Sequence, residues 1–309
     1  MKRALAILAA LTALLTLGCK PQQTAKIMPN NSDDDIFAEV AAKQDKLFAD
    51  FGRAEAIILE GVVAPSGLGA GTGGEICHLT FGTLPWRRQG GDLVHQKATV
   101  HKRCSKKEVD AIFDALSAYS RYRIEGKLLE SPEGWDGAQI ELVRIIDPDL
   151  NDPDLTRAIE DLRKPIVYED AQFGVFTLDR RVNWYEAQTT WMGAATRLSL
   201  DSEDKSGEFP QETVEQARLL WKDAKRWDGE IRAYMLKELL DLKNESWLEE
   251  GEEKITRDDF LRRVSLSSVT VYSDGSFEFW YDDGDLFWGH SIMVSGSIEG
   301  GLDDAGIHG

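Results

Sequence analysis

The chain has 309 residues, with 54 acidic side chains against 36 Lys and Arg, giving a formal net charge of −18. That balance argues against a nucleic-acid binder, which needs clustered cations to displace counterions from phosphates, and against docking on anionic lipid headgroups. Hydrophobic residues make up 42 % and include nine Trp, so the chain is globular rather than disordered, and its length allows two domains.

Lys2 and Arg3 precede an apolar run from Ala4 to Leu17. At roughly 14 residues it is short for a bilayer span and the size of a signal-peptide core. It ends in Leu17-Gly18-Cys19, which resembles the lipobox of bacterial lipoproteins, with Thr16 where Leu is usual. The resemblance implies removal of a signal peptide, residues 1–18, and attachment of lipid (palmitate among its acyl chains) at Cys19. Lys20 resembles an outer-membrane sorting residue where the source has two membranes. The expected location is therefore the bacterial cell envelope, lipid-anchored. An ordinary secretory signal with an incidental Cys is the alternative.

Residues 19–51 read as a lipidated tether followed by a short helix. Lys20 to Asn31 is polar and patternless. Ser32 and Asp35 stand in capping-box spacing, and Ile36, Val40, Leu47, Phe48 and Phe51 follow at near-helical intervals up to Gly52.

Residues 52–147 form a β-rich domain. Strands are expected at Glu55 to Ala64, Glu75 to Phe81 and Asp92 to His101, then a helix from Ser105 with Glu108 in capping-box position, then strands at Tyr122 to Glu130 and Ala138 to Ile146. Three strands, a helix and two strands is the element order of an OB-like barrel. The glycine-rich stretch Ser66 to Gly74 is expected as a flexible strand connection; a phosphate loop would need a following helix and a Lys-Ser/Thr pair, and neither is present. Trp86 and Trp135 are the only aromatic hints of a binding face.

Of three Cys, Cys77 and Cys104 remain once Cys19 is assigned to lipid. In an exported domain a disulfide between them is the first expectation, closing a loop of about 28 residues and contributing on the order of 3 kcal/mol. Two free thiols, or a metal site drawing on Cys77, His78, His95, His101 and Cys104, are the alternatives. Against the metal, adjacent strand residues such as Cys77 and His78 point to opposite faces.

Residues 148–165 hold three Pro and many carboxylates and read as an acidic linker with a short helical turn. Residues 166–309 follow as an α+β domain with a largely antiparallel sheet and a helical layer. Strands are expected at Gln172 to Leu178, Asn183 to Glu186 and Ala194 to Leu200. Gln211 to Lys243 is helical, with a division expected at Asp228-Gly229, and Thr256 with Asp259 caps a final short helix.

Ser267 to Gly300 then reads as a three-stranded meander with two-residue turns at Asp274-Gly275 and Asp283-Gly284. Those turns would set Tyr272 opposite Phe277, Val269 opposite Trp280, Tyr281 opposite Leu286 and Phe277 opposite His290. One face would collect Thr270, Tyr272, Phe277, Phe279, Tyr281, Leu286, Trp288, His290, Ile292 and Val294. Val269, Val271, Glu278, Trp280, Phe287, Ser291 and Met293 would occupy the other. Both faces being largely apolar, the sheet is expected to be covered on both sides or to offer an aromatic face to a partner.

FGVFTLDRRVNWYE, the helical stretch ending NESW, and DGSFEFWYDDGDLFWGHSIMVSG together resemble an uncharacterised bacterial family, domain of unknown function 2262, over about Tyr168 to Gly309. The resemblance implies a fold and no established activity; related aromatic-rich domains beside toxin-immunity proteins imply an immunity-like role. The chain contains no Gly-x-Ser-x-Gly or His-Glu-x-x-His signature. The favoured reading is a non-enzymatic module for a protein or peptide, basic in charge, with Trp280, Tyr281, Asp283, Asp285, Trp288 and His290 as partner-binding residues and no cofactor. Trp184, Tyr185 and Trp191 join the aromatic set as candidates. The alternatives are an envelope hydrolase using Asp283, Asp285 and His290, and a glycan-binding lipoprotein acting through the barrel.

Overall fold

A computed structural model describes residues 31–72, 76–202 and 208–309. The leader and Cys19 lie outside the described residues. The chain divides into two compact units, one ending at Lys164 and one running from Pro165 to Gly309.

In the first unit helix α1 (Asn31–Phe51) leads into β1 (Ala56–Thr72), β2 (Cys77–Arg88), β3 (Ala98–Cys104), α2 (Lys106–Ala115), β4 (Arg121–Leu129), β5 (Ala138–Asp147) and α3 (Pro153–Arg163). The strands close into a barrel in the order β1-β2-β3-β5-β4, with β3 and β5 parallel and β1 returning to β4. With a helix between β3 and β4, this is the expected OB-like arrangement. Alternation sends Leu79, Phe81, Val100, Tyr122, Ile124 and Ile140 inward, all essentially without solvent contact. Ser105 and Glu108 cap α2 reciprocally, as their spacing predicts.

Residues 66–72 of the glycine-rich stretch are strand, not a connection. Residues 66–72 continue β1, pairing Leu68 with Phe81 and Thr72 with Cys77. Closing a small barrel requires one strand long enough to pair on both sides, and it must bend sharply to do so. Two register shifts, between Gly61 and Val63 and between Val63 and Leu68, supply the bend. Gly61 permits the close approach, since a Cβ there would stand 2.7 Å from Thr83 Oγ1.

The acidic segment carries α3. Asp152 accepts hydrogen bonds from the N–H groups of Asp154 and Leu155, and Pro153 begins the helix where its missing N–H costs nothing. Leu155 and Ile159 are buried with Val62 and Leu150, so this helix packs on the first unit.

The second unit has β6 (Val167–Asp170), β7 (Gly174–Asp179), β8 (Trp184–Trp191), β9 (Ala194–Asp201), helices α4 (Gln211–Lys222), α5 (Ala224–Ser246) and α6 (Arg257–Arg263), then β10 (Ser265–Val271), β11 (Ser276–Asp282), β12 (Ser291–Ser297) and β13 (Gly301–His308). They form one eight-stranded sheet in the order β13-β12-β11-β10-β9-β8-β7-β6, antiparallel except where β9 meets β10. A parallel pair needs a long crossover, and the three helices provide it. Val214, Ala217 and Leu220 of α4 and Trp227, Ile231 and Met235 of α5 join Leu198, Val269, Phe277 and Phe279 of the sheet in one core.

The division between α4 and α5 falls at Asp223, not at Asp228-Gly229. Asp228 is held inside α5 by Trp191 Nε1–H at 3.2 Å and Arg232 Nε–H at 2.9 Å, and Trp227 is buried against Phe277. These contacts offset the roughly 1 kcal/mol that Gly229 costs within a helix.

Two features of the meander differ from expectation. The first turn has three loop residues: Tyr272 N–H donates to the Ser276 carbonyl, and Gly275 has φ +81°. Val271 therefore faces Phe277 and Val269 faces Phe279. One extra residue moves Val269 and Val271 to the core face. The second turn is not a hairpin at all. Residues 283–290 form an inward-folded loop, and β12 starts at Ser291 with Ile292 opposite Tyr281. A strand would send Leu286 and Phe287 to opposite faces, whereas the loop buries both.

Strands β6 and β13 carry weak sequence signals. In β13 a register shift opposite Ser295/Gly296 breaks the alternation, so Leu302, Ala305 and Ile307 meet the core at uneven spacing.

Candidate functional site

The six expected partner-binding residues separate into three environments. Tyr281 and Asp283 are buried, at 1 % and 3 % exposure. The Asp283 carboxylate accepts hydrogen bonds from Asp285 N–H at 3.1 Å and Phe287 N–H at 2.6 Å, one on each oxygen. Gly284 follows with φ +56°, its carbonyl accepting from Arg263 Nε–H at 2.8 Å. These bonds shape the loop. Burial pushes the Tyr281 phenol well above its usual range, with the nearby Asp228 carboxylate adding to it.

Trp280 lies on the sheet face opposite the helices. Its Nε1–H donates to Glu278 Oε2 at 2.9 Å, while Tyr272 Oη–H donates to Glu278 Oε1 at 3.1 Å. His308 stands edge-on to Trp280 at 5.3 Å, and Trp184 stands perpendicular to Tyr272. One carboxylate thus orients two aromatic rings. Tyr185 and Trp191, the other aromatic candidates, are buried in the core.

Asp285, Trp288 and His290 form the third group. Trp288 is 58 % exposed and has φ +59°, and Asp285 has φ +63°. Bulky side chains rarely adopt that left-handed conformation, and strain of this kind concentrates at functional sites. The Trp288 ring packs at 4.7 Å from Trp247, the residue ending α5, and His290 stands edge-on to Trp247 at 5.4 Å. His290 Nδ1–H donates to the Phe287 carbonyl at 2.6 Å, which fixes the ring. An open cleft beside Trp288 is lined by Leu248, Glu249, Glu250 and Asp285. The base of this segment is rigid: the buried Lys243 ammonium donates to the Trp247 carbonyl at 2.8 Å and to Glu252 at 2.7 Å.

Chemically, the cleft offers an indole beside three carboxylates, a combination that receives a cation by charge and by cation–π attraction. A pairing of Asp283 with His290 is not among the hydrogen bonds of the described residues, because both are committed to backbone groups of the loop. Trp247, Glu249 and Glu250 escaped sequence reasoning as site residues. Only the chain's return through α6, β10 and β11 brings them beside Trp288.

In the first unit Cys77 and Cys104 are buried free thiols opposite one another across β2 and β3. The structure thus departs from the expected disulfide while placing the two residues in register. Both face the barrel core, whereas His78 and His101 lie on the outer face, so the metal reading loses its ligand set. Among the described residues no group of three or more His, Cys, Asp and Glu is arranged to hold a metal ion. Trp86 is buried, its Nε1–H donating to the Gln96 carbonyl at 2.9 Å, and Trp135 packs on His101 at 5.4 Å.

Residues 170–307 match the family described as an uncharacterized protein conserved in bacteria, DUF2262. The DUF2262 match takes in the whole loop site from Trp247 to His290. Residues 44–162 match a second domain of unknown function, DUF7021, which takes in the barrel and α3. A comparison with curated proteins gives no match.

Proposed function

We propose that the DUF2262-matching unit is a non-enzymatic binding module for a basic protein or peptide, held at the bacterial cell envelope by a lipid on Cys19. Supporting the binding role is Trp288, a large aromatic side chain kept half in solvent by a left-handed backbone and ringed by Glu249, Glu250 and Asp285. The occupant is a Lys or Arg side chain of the partner. The chain's net charge of −18 steers such a partner toward it and makes association salt-sensitive. An immunity-like role, in which the basic partner is a toxin, fits this chemistry.

The test is a titration of a basic partner, recovered by cross-linking from native envelopes, against wild type, Trp288→Ala and the triple variant Glu249→Gln, Glu250→Gln, Asp285→Asn. Loss of binding in each, with folding unchanged, supports the reading. Equal binding by all three proteins overturns it. The lipid anchor is tested separately: Cys19→Ala should move the protein from the membrane to the soluble fraction. Trp280 stands on a different face, so Trp280→Ala is the control that leaves this interaction intact.

For Cys77 and Cys104 we propose closure to a disulfide in an oxidising envelope, favoured by their opposed positions. Antiparallel neighbours lie about 4.5–5.5 Å apart at Cα, within the range a disulfide spans.

A further inference from the structure

The outer face of β2, β3 and β5 is closed by α1, and the closure rests on two histidines. His78 and His101 stack at 5.4 Å with His78 Nε2 and His101 Nδ1 3.2 Å apart. His101 Nε2 lies 2.7 Å from Gln139 Oε1. Gln139 Nε2 donates to the carbonyls of Asp136 and Gly137, which fixes its oxygen toward the imidazole. The chain of donors follows: His101 Nε2–H donates to Gln139, His101 Nδ1 accepts, and His78 Nε2–H donates. Phe48 of α1 stands edge-on to His78 at 5.6 Å and to His101 at 6.5 Å, and Phe51 tilts over His101 at 6.3 Å. Trp135 closes the remaining side.

Leu47 and Phe51 of α1 are themselves buried, at 1 % and 0 % exposure, and the polar contacts that accompany them are exposed. Asp45 pairs with Arg103, Lys46 pairs with Glu133 at 2.8 Å, and Lys43 sits 4.6 Å over Trp135. Arg103 also lies over the Phe48 ring.

We propose that α1 is a strap that lifts from the β2–β3–β5 face when the His78–His101 pair takes up protons. One proton can be accommodated. It binds His78 Nδ1, leaving the existing His78 Nε2–H between the rings, or it binds His101 Nδ1 while His78 shifts its own proton to Nδ1; either way a single N–H lies between them. A second proton leaves two N–H donors pointed at each other beneath phenylalanine rings, with no acceptor between them.

The nearby carboxylates of Asp45, Glu133 and Glu141 are already paired with cations. On α1, Lys43 and Lys46 are cationic and Asp45 is spent on Arg103; on β3, Arg103 is cationic. On β5, Glu141 is paired with Lys127 at 3.0 Å; in the loop before it, Glu133 is paired with Lys46, and the Asp136 carbonyl is held by Gln139. Burial, with the neighbouring His101 and Arg103, lowers His78 to about 4, and burial lowers His101 against the opposing Gln139 bond. The neutral pair is therefore stable at pH 7, and the proton uptake that opens the strap falls between the ordinary histidine value of 6.5 and about 4. The face uncovered is the β2–β3 face, which barrels of this strand order use for ligands.

Amide hydrogen exchange of the full chain, corrected for the intrinsic rate at each pH, tests the strap. Amides of residues 38–51 should lose protection between pH 6.5 and 4 while those of β2 and β3 keep theirs. Each proton taken up changes the opening equilibrium by about tenfold per pH unit. In the double variant His78→Gln, His101→Gln the acid step should disappear. Unchanged α1 protection down to pH 4, simultaneous loss in β2 and β3, or an acid step of the same slope in the double variant overturns the proposal. If the double variant does not fold, imidazole titration of the wild-type protein by NMR decides: α1 amide shifts must follow the imidazole midpoints, and imidazoles that titrate while α1 stays in place overturn it.

Discussion

Asp283 shows how one carboxylate can determine a loop. It is buried, yet each oxygen takes a backbone N–H, and those two bonds turn residues 283–290 inward so that Leu286 and Phe287 reach the core. Removing it leaves two N–H groups without their acceptor, so Asp283→Ala should destabilise the protein by about 2–3 kcal/mol, measured by urea denaturation. Trp288 is the opposite case. Trp288→Gly relieves the left-handed backbone while losing the packing on Trp247, so stability should change by less than about 1 kcal/mol while partner binding is lost. The histidine pair gives a pH prediction of defined sign. A folded value of about 4 against an ordinary 6.5 means that the unfolded chain binds more protons between them. The contribution of His78 is therefore complete above pH 6.5 and declines as pH falls toward 4, by up to about 1.4 kcal/mol per pH unit for that site. Denaturation midpoints across that window check it, and His78→Gln should flatten the curve.

At the scale of elements, the turn after β10 decides which face of that strand is buried. Gly275 holds the left-handed position of a three-residue loop, and Gly275→Ala should cost about 1 kcal/mol, read by thermal melting. The short α6 depends on its cap. Thr256 accepts from Asp259 N–H while the Asp259 side chain takes the Thr256 N–H, and Thr256→Ala should cost about 1 kcal/mol. Such local devices were legible in advance at Ser105/Glu108 and Thr256/Asp259 because both partners lie within one turn of chain. The register of β10 was not. Two-residue and three-residue loops around Asp274-Gly275 share the same residues, and only the packing of Val269 and Val271 against Phe277 and Phe279 selects between them. The candidate site divides the same way. Trp288, Asp285 and His290 stand out in the sequence as an aromatic and acidic cluster. Their neighbours Trp247, Glu249 and Glu250 are some forty residues earlier and become visible only in the fold.

For the whole molecule, two units with separate cores should unfold separately. Calorimetry is expected to resolve two transitions, and in oxidised protein a reductant should lower only that of the barrel. The expected loss is about 3 kcal/mol, from reopening the Cys77–Cys104 loop. Two thiols titrating in native, air-oxidised protein would instead leave the cysteines as the free pair that the structure holds. The sequence by itself determined the element order of the barrel, the α+β character of the second unit and the acidity on which the proposed basic partner rests. Each is a property of local pattern or composition, summed along the chain. Tertiary structure alone decided that residues 66–72 of the glycine-rich stretch are strand, that 283–290 is a loop, and that α1 covers the histidine pair. Those outcomes depend on which distant surfaces compete to be buried, and no local periodicity carries that information.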